Sequence, residues 1–250
     1  MRLRVLGCAG GELPSRRTTC FLVDERLAVD AGALTASLDL DALLAVDDIL
    51  LSHSHFDHVK DVPLLADLVV GRRTRPISVH ASPECIQTLS EHVFNDRLWP
   101  DFTRIPDAEE PVIRLAPFHG PFRVGRLHFD PIPTHHTVES TGYVVSDDAG
   151  AFAISGDTGP TSAFWDRVNA AQGLAAVIVE TSFPDRLQRL ADLSGHLTPR
   201  TLAGELAKLR RDVPVLVYHV KPACEAEVRA ELAELSRPVR ILSTGDEFTF

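Results

Sequence analysis

Within six residues, His53-Ser54-His55-Phe56-Asp57-His58 places three imidazoles and a carboxylate directly after the apolar run Ile49-Leu50-Leu51. Ligands packed this tightly at the mouth of a strand can turn several donors towards one small volume. His53 and His55 can reach one cation while Asp57 and His58 reach a second beside it. Nitrogen and oxygen donors without thiolate suit zinc, manganese or iron, and the donor set alone does not choose among them. Further donors recur where other apolar runs stop: the pair His135-His136, Asp157 between Gly156 and Gly159, Glu180, and His219, with His196 on the Ser194-Gly195-His196-Leu197-Thr198 loop. Chance does not readily explain so many chemically competent strand exits. His80, His92, His119 and His128 lack such a context and are expected to be surface or satisfied-core residues.

The elements that must position these groups follow from periodicity. Residues 2–6 read as a first strand, 19–23 and 27–30 as a strand pair, and 48–52 as the strand carrying the histidines. Helical spacing runs over 34–46 and resumes over 59–70, ending before Gly71; Arg72-Arg73-Thr74-Arg75-Pro76 is then expected to be a solvated helix end. Ile77 to His80 reads as a strand, and Ser82-Pro83-Glu84 supplies a cap, a first-turn proline and an acidic residue for the next helix. The aromatic stretch 94–102 is expected either to pack under a long loop or to face a ligand. Strands are expected over 112–115, 122–124, 127–131, 142–145 and 152–155. The continuous apolar runs at 175–179 and 213–218 mark strands covered on both faces. Helices over 198–210 and 224–235 and strands over 239–242 and 247–250 complete the chain.

With 250 residues, 44% of them apolar, the chain can bury a sizeable core and is expected to form one domain over residues 1–250. A signal-peptide pattern and a membrane-length apolar run are both missing, so a soluble, cytoplasmic protein without membrane partners is expected. Cys8, Cys20, Cys85 and Cys224 form no C-x-x-C pair, which argues against a thiolate zinc site and a disulfide framework. A net charge of −10 opposes binding of an extended nucleic acid, whose many phosphates require a basic surface. Small phosphate esters remain compatible, since bound cations would attract them. Oligomeric state is open, a homodimer included.

His53-Ser54-His55-Phe56-Asp57-His58 resembles the signature of the metallo-β-lactamase superfamily. That resemblance implies an α/β fold, a four-layered αββα sandwich with a two-metal site along one edge. It implies that His53, His55 and His136 hold the first metal, that Asp57, His58 and His219 hold the second, and that Asp157 bridges them. His136 is preferred to His135 because His136-Thr137-Val138 with Ser140-Thr141-Gly142-Tyr143 matches the family's motif; adjacent side chains point to opposite faces, so the reverse assignment stays open. Glu180-Thr181-Ser182-Phe183, Ser194 to Pro199 and His219-Val220-Lys221-Pro222 resemble, more narrowly, the class II cyclic-nucleotide phosphodiesterases. Asn95, Trp99-Pro100-Asp101-Phe102 and Asp30-Ala31-Gly32 add to this likeness, which covers about residues 7–245.

This narrower resemblance implies hydrolysis of a small phosphodiester, a 3′,5′-cyclic nucleotide with cyclic AMP as the expected substrate, to the 5′-monophosphate. Two cations about 3.5–4 Å apart, zinc being expected, would share a water and lower its pKa, so a bridging hydroxide is the expected nucleophile. An alkoxide leaves poorly without a proton. His196 is the candidate general acid, positioned by Glu180, and Asp57 is counted with the catalytic groups as well as the ligands. Trp99, Phe102 and Phe118 are candidate walls for the base. The competing readings are a tRNA 3′-processing endonuclease or another hydrolase of the same fold, and, in a different class, a nucleotide sensor that binds without turnover.

Overall fold

Side chains alternating along the strands sort into three separate cores, and those cores define the layers. The computed structural model describes residues 1–250. Its first sheet contains β1 (Arg2–Gly7), β2 (Cys20–Val23), β3 (Leu27–Val29), β4 (Asp48–Leu50), β5 (Ile77–Ala81) and β6 (Ile113–Pro117). The second contains β7 (Phe122–Val124), β8 (Leu127–Thr134), β9 (Ser140–Ser146), β10 (Ala151–Ile154), β11 (Leu174–Glu180), β12 (Val215–Tyr218) and β13 (Arg240–Ile241). A last strand, β14 (Glu247–Thr249), returns to pair with β1, so the strand orders are β14-β1-β2-β3-β4-β5-β6 and β13-β12-β11-β10-β9-β8-β7.

On their inner faces Leu3, Val5, Phe21, Val29 and Leu50 meet Phe129, Tyr143, Phe152, Ile178 and Tyr218. One residue along, Leu22, Ile49, Leu51 and Val79 point the other way, because successive strand residues alternate faces. They pack under the first group of helices: α1 (Leu34–Ser37), α2 (Leu40–Ala45), α3 (Phe56–Val59), α4 (Asp61–Val69) and α5 (Pro83–His92). Val177, Val179, Val215 and Val217 likewise leave the second sheet to meet Trp165, Leu202 and Val228 of α6 (Ala163–Ala170), α8 (Pro199–Leu206) and α9 (Glu225–Ala233), with α7 (Gln188–Ser194) beside them in sequence. Helix, sheet, sheet, helix is therefore the αββα order expected from the sequence. Each fully buried large side chain contributes about 1.5–3 kcal/mol, so no single layer could hold alone what three cores hold together.

Strand direction brings the exits together. β8 and β10 both run antiparallel to β9, while β10, β11 and β12 run parallel to one another, so the carboxyl ends of β8, β10, β11 and β12 share one edge of the second sheet. In the first sheet β3, β4, β5 and β6 are mutually parallel. The β1–β2 loop clamps the sheets at the edge that carries the histidines: Ala9 bridges Val220, the Gly10 amide donates to Val220 O at 3.0 Å, and the His219 amide donates to Cys8 O at 2.7 Å.

Several elements differ from the sequence reading. The helix expected over 34–46 is broken into α1 and α2, because Asp39 adopts an extended conformation and caps the second piece through Ala42 N at 2.9 Å. The helix expected from 59 begins earlier, within the histidine motif itself, as α3 followed by α4. The basic cluster after α4 is only partly a solvated helix end, because Arg73 is mostly buried and reaches Asp47 at 2.8 Å. The helix α7 has no counterpart in the sequence reading: it lacks a side-chain cap at its start and is ended by Gly195 in the left-handed conformation (φ 65°).

Candidate metal centre

Four of the five histidines of the cluster, His53, His58, His136 and His219, are oriented by a neighbour that the fold supplies. His58 Nδ1 lies 2.8 Å from Asp30 Oδ2, and His53 Nδ1 lies 3.0 Å from Ser52 Oγ. The Ser52 hydroxyl in turn sits 2.9 Å from Asp30, whose carboxylate also accepts the Ser52 amide at 2.8 Å. His136 Nδ1 is 2.9 Å from Gly195 O, and His219 Nδ1 is 2.9 Å from Ser182 Oγ. Since a carboxylate and a carbonyl only accept, His58 and His136 must carry their proton on Nδ1. With the Ser52 hydroxyl donating to Asp30 and the Ser182 hydroxyl to Glu180, the same assignment follows for His53 and His219. In their neutral form all four rings then leave Nε2 as a lone pair turned inward, the tautomer a metal ligand needs.

Those nitrogens converge. The His136 Nε2 lies 3.1 Å from His55 Nδ1, and His58 Nε2 lies 3.3 Å from His219 Nε2. Asp157 Oδ2 stands between, 3.8 Å from His53 Nε2, 3.3 Å from His58 Nε2 and 3.2 Å from His219 Nε2. Asp57 Oδ2 approaches His219 Nε2 at 3.3 Å. Donor atoms of His53, His55 and His136 lie within 4.8 Å of one another, as do those of Asp57, His58 and His219, and those of His53, His58 and Asp157. The structure therefore brings the seven sequence-nominated ligands into one place, with Asp157 touching both halves. His135 is turned away: it is exposed, and its backbone amide is tied to Thr158 Oγ1 at 3.1 Å.

Electrostatics follow from burial and from the two central carboxylates. Burial pushes the His53 imidazolium well below the usual histidine range, and the neighbouring His58 adds to the effect. Burial acts the same way on His58, but Asp157 and Asp30 on its two sides outweigh it and hold it well above that range. Burial would raise both carboxylates, yet His219 in its protonated form, in contact with Asp57, lowers that carboxyl, and the charged forms of His219 and His58 lower Asp157. Of six buried side-chain polar atoms without a hydrogen-bond partner, two, His53 Nε2 and Asp157 Oδ1, lie in this cluster. An unpaired buried polar atom costs about 1–3 kcal/mol, and both belong to a cluster of nitrogen and oxygen donors. The donor set thus fits divalent cations.

Beside the cluster, His196 Nδ1 donates to Glu180 Oε1 at 2.8 Å. Glu180 is buried and further held by the Thr158 amide at 3.1 Å and the Ser182 hydroxyl at 3.1 Å. Burial disfavours the charged His196 ring, but the Glu180 carboxylate more than offsets it, so the imidazolium persists to higher pH than usual. A donor atom of His196 lies within 4.8 Å of donor atoms of His136 and Asp157.

The aromatic candidates fare differently. Phe102 is buried in the core under the first helices and cannot wall a ligand there. Trp99 packs against that same core, and Phe118 stacks on Phe122 with ring centroids 5.3 Å apart. His80, left without a role, pairs with Asp48 at 2.8 Å. Sequence reasoning missed Asp30, Ser52, Ser182 and Gly195 as the groups that orient the histidines. Asp30 did carry a signal, as a polar residue closing an apolar strand pair.

A family model described as the beta-lactamase superfamily domain matches residues 26–219. The probable 3′,5′-cyclic-nucleotide phosphodiesterase of Yersinia pestis is 29% identical over 209 residues, covering 72% of this chain and 58% of that protein. The 3′,5′-cyclic-nucleotide phosphodiesterase 1 of Saccharomyces cerevisiae is 25% identical over 225 residues, covering 76% of this chain and 60% of that protein. The chain thus spans less than two thirds of the length of these curated relatives. The crystal structure of unliganded yeast PDE1 superposes with a TM-score of 0.80 at 20% identity, covering 100% of this chain and 99% of the other. The metallo-β-lactamase fold protein YhfI from Bacillus subtilis superposes with a TM-score of 0.79 at 17% identity, covering 99% of each chain. No helix here is long and apolar enough to cross a membrane. With residues 26–219 matched by the family model and the αββα layers in place, the chain belongs to the metallo-β-lactamase superfamily.

Proposed function

We propose that the protein is a metal-dependent phosphodiesterase that hydrolyses a 3′,5′-cyclic nucleotide, cyclic AMP foremost, to the 5′-monophosphate. One observation carries this reading: a seven-residue nitrogen and oxygen cluster, buried at His53, His58, Asp157 and His219 and half-buried at His55, Asp57 and His136, lies directly beside a carboxylate-held imidazole, so charge stabilisation and proton donation meet at one spot. The likeness to proteins named as cyclic-nucleotide phosphodiesterases supports it. His53, His55 and His136 would hold one divalent cation, Asp57, His58 and His219 a second, and Asp157 would serve both. Bound there, such ions supply Lewis acidity and lower the pKa of water.

The chain's own residues do the rest. Hydrolysis forms a bond from a water oxygen to phosphorus and breaks the bond from phosphorus to O3′, whose electron pair leaves with the ribose. Glu180 holds the Nδ1 side of His196, which leaves Nε2–H free to give its proton to that departing oxygen. The raised affinity of His196 for protons carries its acid form to higher pH than an ordinary histidine's. Asp30 and Ser52 fix His58 and His53 so that the cluster is assembled before any ligand arrives.

Product analysis tests the reading. Metal-loaded protein should convert cyclic AMP to 5′-AMP, also cleave bis-p-nitrophenyl phosphate, and leave precursor tRNA intact. Trimmed precursor tRNA with untouched cyclic AMP would contradict it, and binding of cyclic AMP without turnover would favour a sensor.

A further inference from the structure

Two residues at this site are not absorbed by the chemistry above. Phe183 follows the Glu180-Thr181-Ser182 segment and is only partly buried; its ring centroid lies 5.7 Å from that of His196, the planes crossing at 65°. Lys221 lies two residues beyond His219, its amide held by Ser182 O at 3.1 Å, and its ammonium sits 5.9 Å from the Phe183 ring centroid. The chain has three lysines. Lys60 pairs with Asp61 and Glu12, and Lys208 pairs with Glu205, whereas Lys221 faces an aromatic ring instead of a carboxylate. In a protein of net charge −10, a lysine left without an acidic partner beside a histidine-rich cluster is conspicuous. It is suited to an anion that arrives from outside.

We infer that Phe183 and Lys221 form the substrate-holding wall of the site, the ring packing against the flat face of the nucleobase and the ammonium reaching an anionic phosphoryl oxygen. The inference rests on the phosphodiesterase reading and deepens it. An aromatic face next to the imidazole that serves O3′ meets the nucleoside, not the phosphate, because the sugar is what O3′ belongs to. Stacking of this kind accepts any base, so Phe183 would separate nucleotides from sugar phosphates without selecting adenine over guanine. A lysine works here as a flexible point charge, able to leave the ring for an oxygen a few ångströms away.

Calorimetric binding to the metal-loaded full chain tests this without needing turnover. The ligands are adenosine 5′-monophosphate and ribose 5-phosphate, and the proteins are wild type, Phe183→Leu, Phe183→Trp and Lys221→Gln. Wild type should bind the nucleotide more tightly than the sugar phosphate. Phe183→Leu should weaken the nucleotide about tenfold and leave the sugar phosphate within twofold, with Phe183→Trp restoring the contrast. Lys221→Gln should weaken both ligands alike. Equal binding of the two ligands by wild type, an unchanged contrast in a folded Phe183→Leu protein, or a Lys221→Gln protein that binds both as wild type does would overturn the assignment. Wild-type turnover of cyclic AMP, measured separately, tells failure of this wall from failure of the activity itself.

Discussion

Burial alone would favour loss of the His196 proton; the Glu180 carboxylate 2.8 Å away reverses that and holds the proton on the ring. His196→Ala should therefore slow cleavage of cyclic AMP by about 10²–10⁴-fold, while an activated p-nitrophenyl ester, whose leaving group needs no proton, slows far less. Steady-state rates on both substrates check this, and equal slowing would remove the acid role. A different residue reports on stability. Asp47 accepts from Arg26 at 2.7 Å and Arg73 at 2.8 Å; burial raises its pKa, but the arginines win and hold it below the usual carboxylate range. A carboxyl lowered on folding stabilises above its unfolded pKa, and that stability is lost as pH falls through the folded value. Asp47→Asn should cost about 0.5–1 kcal/mol at pH 7, a figure kept small by partial exposure, and the deficit should vanish in strong acid. Urea titrations at pH 7 and at a series of pH values running down through the usual carboxylate range into stronger acid measure it. At this scale the sequence was most legible for the residues that cluster, because His53 to His58 are dense and chemically distinctive. It was least legible for Asp30 and Ser182, whose function lies in whichever imidazole the fold brings within reach.

Among elements, the strand exits place the chemistry, and the loop from Cys8 to Thr19 keeps them aligned. A Cβ built on Gly10 would stand 2.3 Å from His219 O and 2.9 Å from His219 Nδ1, so only glycine permits that approach. Gly10→Ala should push His219 out of line, destabilise the fold by about 1–3 kcal/mol, and lower metal content at the Asp57, His58 and His219 group; retained stability and metal would refute the clamp. Buried strands such as β11 and β12 were readable because both faces are covered, which makes the run continuously apolar. The short helices were not. The α1–α2 break depends on a single cap at Asp39 inside an apolar pattern that continues through it, and α7 carries no capping signal at its start. The pairing of the two sheets, and thus the meeting of His53 with His136, arises from long-range order that no local pattern encodes.

Taken whole, the molecule invests a buried polar cluster in the middle of an otherwise apolar sandwich edge. His53 Nε2 and Asp157 Oδ1 lack partners within the chain, and a cation that binds only the folded state would stabilise it by about 2.7 kcal/mol at a hundredfold excess over its Kd. Addition of zinc or manganese should accordingly raise the melting temperature, and a chelator should reverse the shift. Asp157 reaches His53, His58 and His219 at once, so it is the residue on which both halves of the centre depend. The most direct test is metal stoichiometry by mass spectrometry on wild type and Asp157→Ala after reconstitution and desalting. Two divalent ions per wild-type chain and loss of occupancy in the variant are the expected result; a metal-free wild type, or a variant that keeps both ions, would contradict the two-ion centre.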